Sequence, residues 1–274
     1  MLLDHGVSEN WMPACAGVVF LLPILAFTGM LAVTPSPTAA DVAKRSARDP
    51  MDANDRWRFF LKYAPGIIGI SLIYLFVTLL RSVRADFAVE LWTGLGYPKT
   101  PQLFTQSELL VSFGIIIIIG FAALIHDNYK AFRFSLFTGL AGLLILLFAI
   151  LGLNLGLDKF YFMVPVGLGV YIPYVAVHAI VFERLIAITR ERANVGFLMY
   201  IVDSVGYTGY IVLMIFRYLV PSSESVLTIF LYLCLYMAIA GILILIFCHI
   251  YFKNKLKGEV SPITTLSVAQ GSGN

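Results

Sequence analysis

The chain has 274 residues, of which 59% are hydrophobic and 13% charged, with a formal net charge of +3 and a mean hydropathy of +0.88. Soluble domains carry about 25% charged residues, so this composition excludes an ordinary water-soluble globule. The small basic excess lies between apolar stretches and excludes a nucleic-acid footprint.

Seven apolar runs follow one another: Met12–Val33, Tyr63–Leu80, Leu109–Ile125, Phe134–Leu153, Phe160–Phe182, Gly196–Phe216 and Ser225–Phe252. Each is near or above the ~20 residues with which an α-helix crosses ~30 Å of hydrocarbon. Lipid offers the backbone no hydrogen bonds, so each span must satisfy its own, and a helix does so. The predicted fold class is all-α, a polytopic transmembrane helical bundle of seven spans. It divides into an isolated transmembrane helix at 12–33, a cytoplasmic linker at 34–62, a six-helix bundle at 63–252 and a disordered cytoplasmic tail at 253–274. The small residues at 37–40 look like a signal-peptide cleavage site. Yet no Lys or Arg precedes the first run, and that run is long for a signal peptide. Asp52 and Asp55 suit the start of an amphipathic helix over Met51–Arg58. The second run meets no breaker after Gly69, so its helix is expected to continue to about Trp92, before the turn cluster Gly94–Pro98.

The cations are sorted between connections. Fourteen of the nineteen Lys and Arg fall in one alternating set and five in the other. The richer set includes Lys44, Arg45, Arg48, Arg190, Arg192 and Lys257, and the poorer set includes Lys99. The positive-inside rule makes the richer side cytoplasmic. The N-terminus is then outside and the C-terminus inside. Cys15, Cys234 and Cys248 all fall within apolar runs, without the spacing of a metal site or a disulfide framework.

Ionisable groups at membrane depth are costly and mark candidate sites. Arg81 and Arg84 share one face of their helix, while Asp86 and Glu90 share the nearly opposite face. Either this helix end projects into water, or it lines a cavity for a charged solute. Tyr200, Asp203, Tyr207, Tyr210 and Arg217 form one stripe on Gly196–Phe216. Asp203 needs a proton or a partner, for which Arg184 and Arg133 are candidates; it could also couple to a proton or a solute. Tyr171, Tyr174 and His178 form a stripe on Phe160–Phe182, beside Pro165, Gly167, Gly169 and Pro173. His178 is either a satisfied core residue or a proton carrier. Glu108, with Gln106 and Ser107, either caps the start of its helix or pairs with Arg81 or Arg84.

The loop from Leu124 to Arg133 places Asp127 ahead of Lys130 and Arg133, between the second and third spans of the six-helix group. It resembles the cytoplasmic loop motif of major facilitator superfamily transporters. The wider text, Arg81-Ser-Val-Arg84-Ala-Asp86-Phe, Tyr171-Ile-Pro-Tyr-Val-Ala-Val-His178, Phe182-Glu-Arg184-Leu and Gly196-Phe-Leu-Met-Tyr200-Ile-Val-Asp203, looks like an uncharacterised family of major-facilitator-like bacterial membrane proteins. The resemblance covers residues 12–252 and corresponds to the C-terminal six helices of that fold plus one preceding helix. It implies that 63–92 and 160–182 line a cavity, and that the N-terminal half of the fold is missing.

These readings give a transporter-like half unit in a bacterial inner membrane, moving a small and anionic solute. Substrate binding falls to Arg81, Arg84, Asp86, Glu90, Glu108, Tyr171 and Tyr174. Proton coupling falls to His178 and Asp203, and a cytoplasmic latch to Asp127, Lys130 and Arg133. No catalytic residue, metal or cofactor is expected. The expected partners are the lipid bilayer, the solute, and a second half-transporter or a second copy of the chain. The alternative is a non-transporting scaffold, assembly partner or sensor on a transporter-derived fold. A membrane enzyme fits less well, because the four histidines are scattered and no phosphate-cradling loop is present. If the threading holds, single cysteines placed in 34–62 and in 253–274 will react with an impermeant maleimide from the same side of the membrane. Labelling from opposite sides would overturn it.

Overall fold

In the computed structural model, the structure describes residues 6–39, 51–97, 101–189, 191, 193–219 and 224–271. Lys44, Arg45, Arg48, Pro98, Lys99, Arg190 and Arg192, used above for the linker, the turn cluster and the cation count, lie outside them. The described residues form helices joined by short turns, and none is in a strand. The helices are α1 (Met12–Ala32), α2 (Ala53–Asp86), α3 (Ala88–Gly94), α4 (Pro101–Ala123), α5 (Asn128–Asn154), α6 (Lys159–Ala176), α7 (Phe182–Thr189), α8 (Val195–Leu219) and α9 (Val226–Gly271). A π-turn over Val177–Val181 links α6 to α7. Together these supply seven helical stretches long and apolar enough to cross a membrane. The chain falls into two compact units, Met1–Ala47 and Arg48–Asn274. The first holds α1, which begins with a proline in its first turn and carries Pro23 inside.

In the second unit, aspartates start three helices. The Asp52 carboxylate accepts the Asp55 N–H at 2.6 Å, Asp127 accepts that of Lys130 at 2.7 Å, and Asp158 accepts that of Phe160 at 2.9 Å. Each satisfies a backbone donor that the first helical turn leaves without a partner. Thus α2 starts at Ala53, inside the segment read as linker, and the helix expected near Met51 is present.

α2 organises the bundle. Its apolar window is 67% buried, the highest share of any span. Tyr63, Ile67, Ile70, Tyr74, Val77 and Leu80 are all buried, and α6, α8 and α9 pack along it. α5 pairs closely with α6, and α4 packs on α6. Small residues make the α5–α6 approach possible, since van der Waals packing drives helix association in lipid. A Cβ on Gly169 would lie 2.8 Å from the Leu146 backbone nitrogen and 2.9 Å from the Gly142 carbonyl oxygen.

Two expectations are corrected. The helix after the second run does not continue unbroken to Trp92. It stops at Asp86, Phe87 leaves helical geometry at φ −110° and ψ 26°, and α3 begins anew. Beyond the break, Leu91 and Trp92 of α3 are buried in the bundle. Within Phe160–Phe182 the α-helix gives way to the π-turn at Val177, four residues after Pro173. The helix begun near 225 does not end at 252 but runs to Gly271, through the segment expected to be disordered. Leu256 is fully buried, so the residues just past 252 still have an apolar surface to cover.

Gly169→Ala should cost about 1–3 kcal/mol through overpacking against the α5 backbone. Gly120→Ala, where no atom lies within 4 Å of the added methyl group, should be neutral or mildly stabilising. Thermal unfolding in detergent micelles checks the contrast; equal melting temperatures would contradict the close approach.

Candidate functional site

Two turns of α2 carry the central cations. Arg84 is 2% exposed, which in an apolar bundle demands a counter-charge. Glu108 of α4 supplies it: Nη1 of Arg84 donates to Oε1 of Glu108. Nη2 donates to the Met163 carbonyl at 3.3 Å. Gly167 makes room, since a Cβ there would sit 2.9 Å from Nη2. Of the two roles open to Glu108, pairing is the one the structure shows. It is not a cap, because α4 already begins at Pro101.

Arg81 lies one turn earlier and is placed differently. Its guanidinium sits 4.5 Å from the centroid of the Tyr174 ring, a cation–π contact that substitutes partly for water. Its Nε is buried without a hydrogen-bond partner. Among the described residues no carboxylate forms an ion pair with Arg81. Tyr171, one turn before Tyr174, is within electrostatic reach of Glu108 and both arginines, and Tyr207 of α8 is within reach of Arg81.

From Arg81 an aromatic strip runs across the helices. Tyr174 stacks on Tyr74 of α2, with centroids 5.3 Å apart and planes 27° apart. His178 lies against both rings, 5.6 Å from Tyr174 and 6.1 Å from Tyr74. It projects from the π-turn, a helix irregularity frequent at functional sites. At the far end the Tyr74 hydroxyl donates to Asp203 of α8 at 2.5 Å. Gly206, one turn beyond Asp203, lets α8 approach Tyr74 and Thr78. The result is a half-exposed polar strip across α2, α6 and α8, with Arg81 at one end and Asp203 at the other.

The remaining candidates sit apart from this strip. Asp86 is exposed and accepts a hydrogen bond from Tyr210 of α8, while Glu90 is exposed on α3. Asp127 serves as the cap of α5, Lys130 is exposed, and the Arg133 guanidinium lies 5.8 Å from both the Tyr129 and Phe137 rings. The partners proposed for Asp203 are also corrected. Arg184 donates to Asn128 at 2.7 Å, Arg133 is held by rings, and Tyr74 takes the position expected of a cation. Tyr74 escaped the reading of the sequence. The signal was present: Tyr74, Thr78 and Arg81 fall on one helix face, at spacings of four and seven residues.

Seven helical stretches long and apolar enough to cross a membrane, with a half-exposed strip of ionisable side chains, define an α-helical polytopic membrane protein. Residues 1–255 match the model of a family described as "Family of unknown function (DUF5690)", and the chain belongs to that family. No curated protein and no solved structure matches it.

Removing one member of a buried ion pair leaves the other charge uncompensated, at about 3–5 kcal/mol. Arg84→Met and Glu108→Gln should therefore each lower the melting temperature sharply in detergent, and the double variant Arg84→Met/Glu108→Met should recover much of the loss. A double variant as unstable as the sum of the singles would show that the pair is not the coupling unit.

Proposed function

We propose that the chain is a transporter-like half unit in a bacterial inner membrane, binding a small anionic solute on the α2–α6–α8 strip. The observation that carries this reading is Arg81, a cation at membrane depth with no paired carboxylate among the described residues. A charge in the bilayer interior costs about 2.5–3.5 kcal/mol on the insertion scale. A solute carboxylate or phosphate seated on Arg81, with the tyrosine hydroxyls around it, would offset that cost.

Arg84 takes another role in this proposal. Glu108 neutralises it, so it sets the helix positions rather than the charge of the site. Asp203 and His178, joined through Tyr74 and Tyr174, are the candidate proton couplers. Because the strip is half-exposed, it requires a second helical bundle, either another half or another copy, to keep lipid away. The resemblance to the C-terminal half of the major facilitator fold supports the same arrangement. So does the cation distribution, with the N-terminus outside and the C-terminus cytoplasmic. Asp127, Lys130 and Arg133 would then meet that second bundle at the cytoplasmic face.

A second reading, a non-transporting scaffold or sensor, is favoured by one feature. Tyr74 and Asp203, and Arg81 and Tyr174, already engage one another within the bundle. Binding separates the two readings. In proteoliposomes, with any partner half co-expressed, a panel of carboxylates and phosphates should include one that the wild type binds. Arg81→Ala should weaken it about 10- to 100-fold, the loss expected for one hydrogen bond to a charged group. Unchanged binding in Arg81→Ala would remove the assigned site. No binding to any member of the panel by a folded wild type would favour the scaffold.

A further inference from the structure

A second place in the bundle has the form of a ligand site, independent of the strip. α8 and α9 both pack along α2 but scarcely touch each other. Near the end where α2 breaks at Phe87, they leave a cleft of about 320 Å³. Val83 and Phe87 form its floor, Leu213 and Met214 one wall, and Ile229 and Leu233 the other. Arg217 is the single charged residue among the described residues lining it. Its guanidinium is held 4.1 Å from the Phe87 ring centroid, and the side chain is exposed.

Arg217 and the 85% exposed Tyr218 occupy the last turn of α8, which ends at Leu219. Arginine and tyrosine at a span end mark the level of lipid headgroups. An apolar slot running inward from a cation at that level matches an acyl chain below a phosphate. We propose that this cleft holds one acyl chain of an anionic phospholipid, with its phosphate on Arg217. The lipid acts as a wedge between α8 and α9 and completes the packing around α2. Charge complementarity selects the occupant: an apolar peptide would leave Arg217 without a counter-ion, and a zwitterionic lipid would bring a headgroup cation beside Arg217 along with its phosphate.

The test uses the full chain in nanodiscs of phosphatidylcholine doped with phosphatidylglycerol carrying a diazirine on its acyl chain. Photolabels should concentrate on 213–217 and 226–233. Met214→Trp and Ile229→Trp, each filling the slot, should remove those labels while helical content by circular dichroism stays unchanged. Arg217→Gln should lower the preference for phosphatidylglycerol over a phosphatidylcholine probe about fivefold, the effect of one basic residue at a membrane surface. Excess inorganic phosphate should not displace the label. Labels scattered over all outward helix faces would overturn the proposal, as would labelling that persists in both Trp variants. A preference unchanged in Arg217→Gln would overturn the headgroup assignment, and displacement by phosphate would point to a free anion instead.

Discussion

One constraint shapes this molecule: in hydrocarbon, every charge and every backbone dipole must find its partner inside the protein. The Arg84–Glu108 pair is its clearest expression. It ties α2 to α4, and the Met163 carbonyl brings in α6. α2 and α4 owe their approach to α6 at that point partly to Gly167, whose missing side chain leaves space for the Arg84 guanidinium and for Val111. Buried pairs of this kind add little net stability compared with apolar packing. What they specify is register. A helix carrying Arg84 can slide or rotate only by stranding its charge.

The same constraint explains why the strip differs from the pair. Arg81 has an aromatic face but no carboxylate, and Asp203 has a tyrosine hydroxyl but no cation. Each is held in place and left electrostatically incomplete. The Tyr174–Tyr74 stack separates them, so they do not neutralise one another directly. In the proposed binding role, rigid side chains around an unbalanced charge would act as a preorganised receptor, because little reorganisation would remain when a counter-ion arrives. The π-turn at Val177–Val181 adds a helix irregularity at the point where His178 meets both rings. Packing across α2, α6 and α8 thus produces both a buried core and a polar strip on its edge.

The family match extends over residues 1–255, so the seven spans and the strip lie together within its reach. The strip, the Arg84–Glu108 pair and the α8–α9 cleft occupy distinct parts of the six-helix unit. Tyr171 lies within reach of Glu108 and of both arginines, so changes in the pair and in the strip are coupled and not simply additive.

Span number, helical class and the places of Arg81, Arg84, Tyr174, His178 and Asp203 were legible in the residues, because length in hydrocarbon and helical periodicity are local properties. The aspartate cap before Ala53 was legible for the same reason. Which charge meets which was not. Glu108 had two roles open, and its pairing with Arg84 depends on how α4 lies against α2, a relation no periodicity encodes. Asp203 was matched to cations on chemical grounds, yet Tyr74 stands there because Gly206 lets α8 approach α2 at that height. The break at Phe87 likewise has no proline or glycine to announce it, and the helix after it carries Leu91 and Trp92 in the core. Amino-acid order set what each helix must hide from lipid; only the assembled bundle chose the partner that hides it, because pairing depends on distances between helices and not on spacing along one.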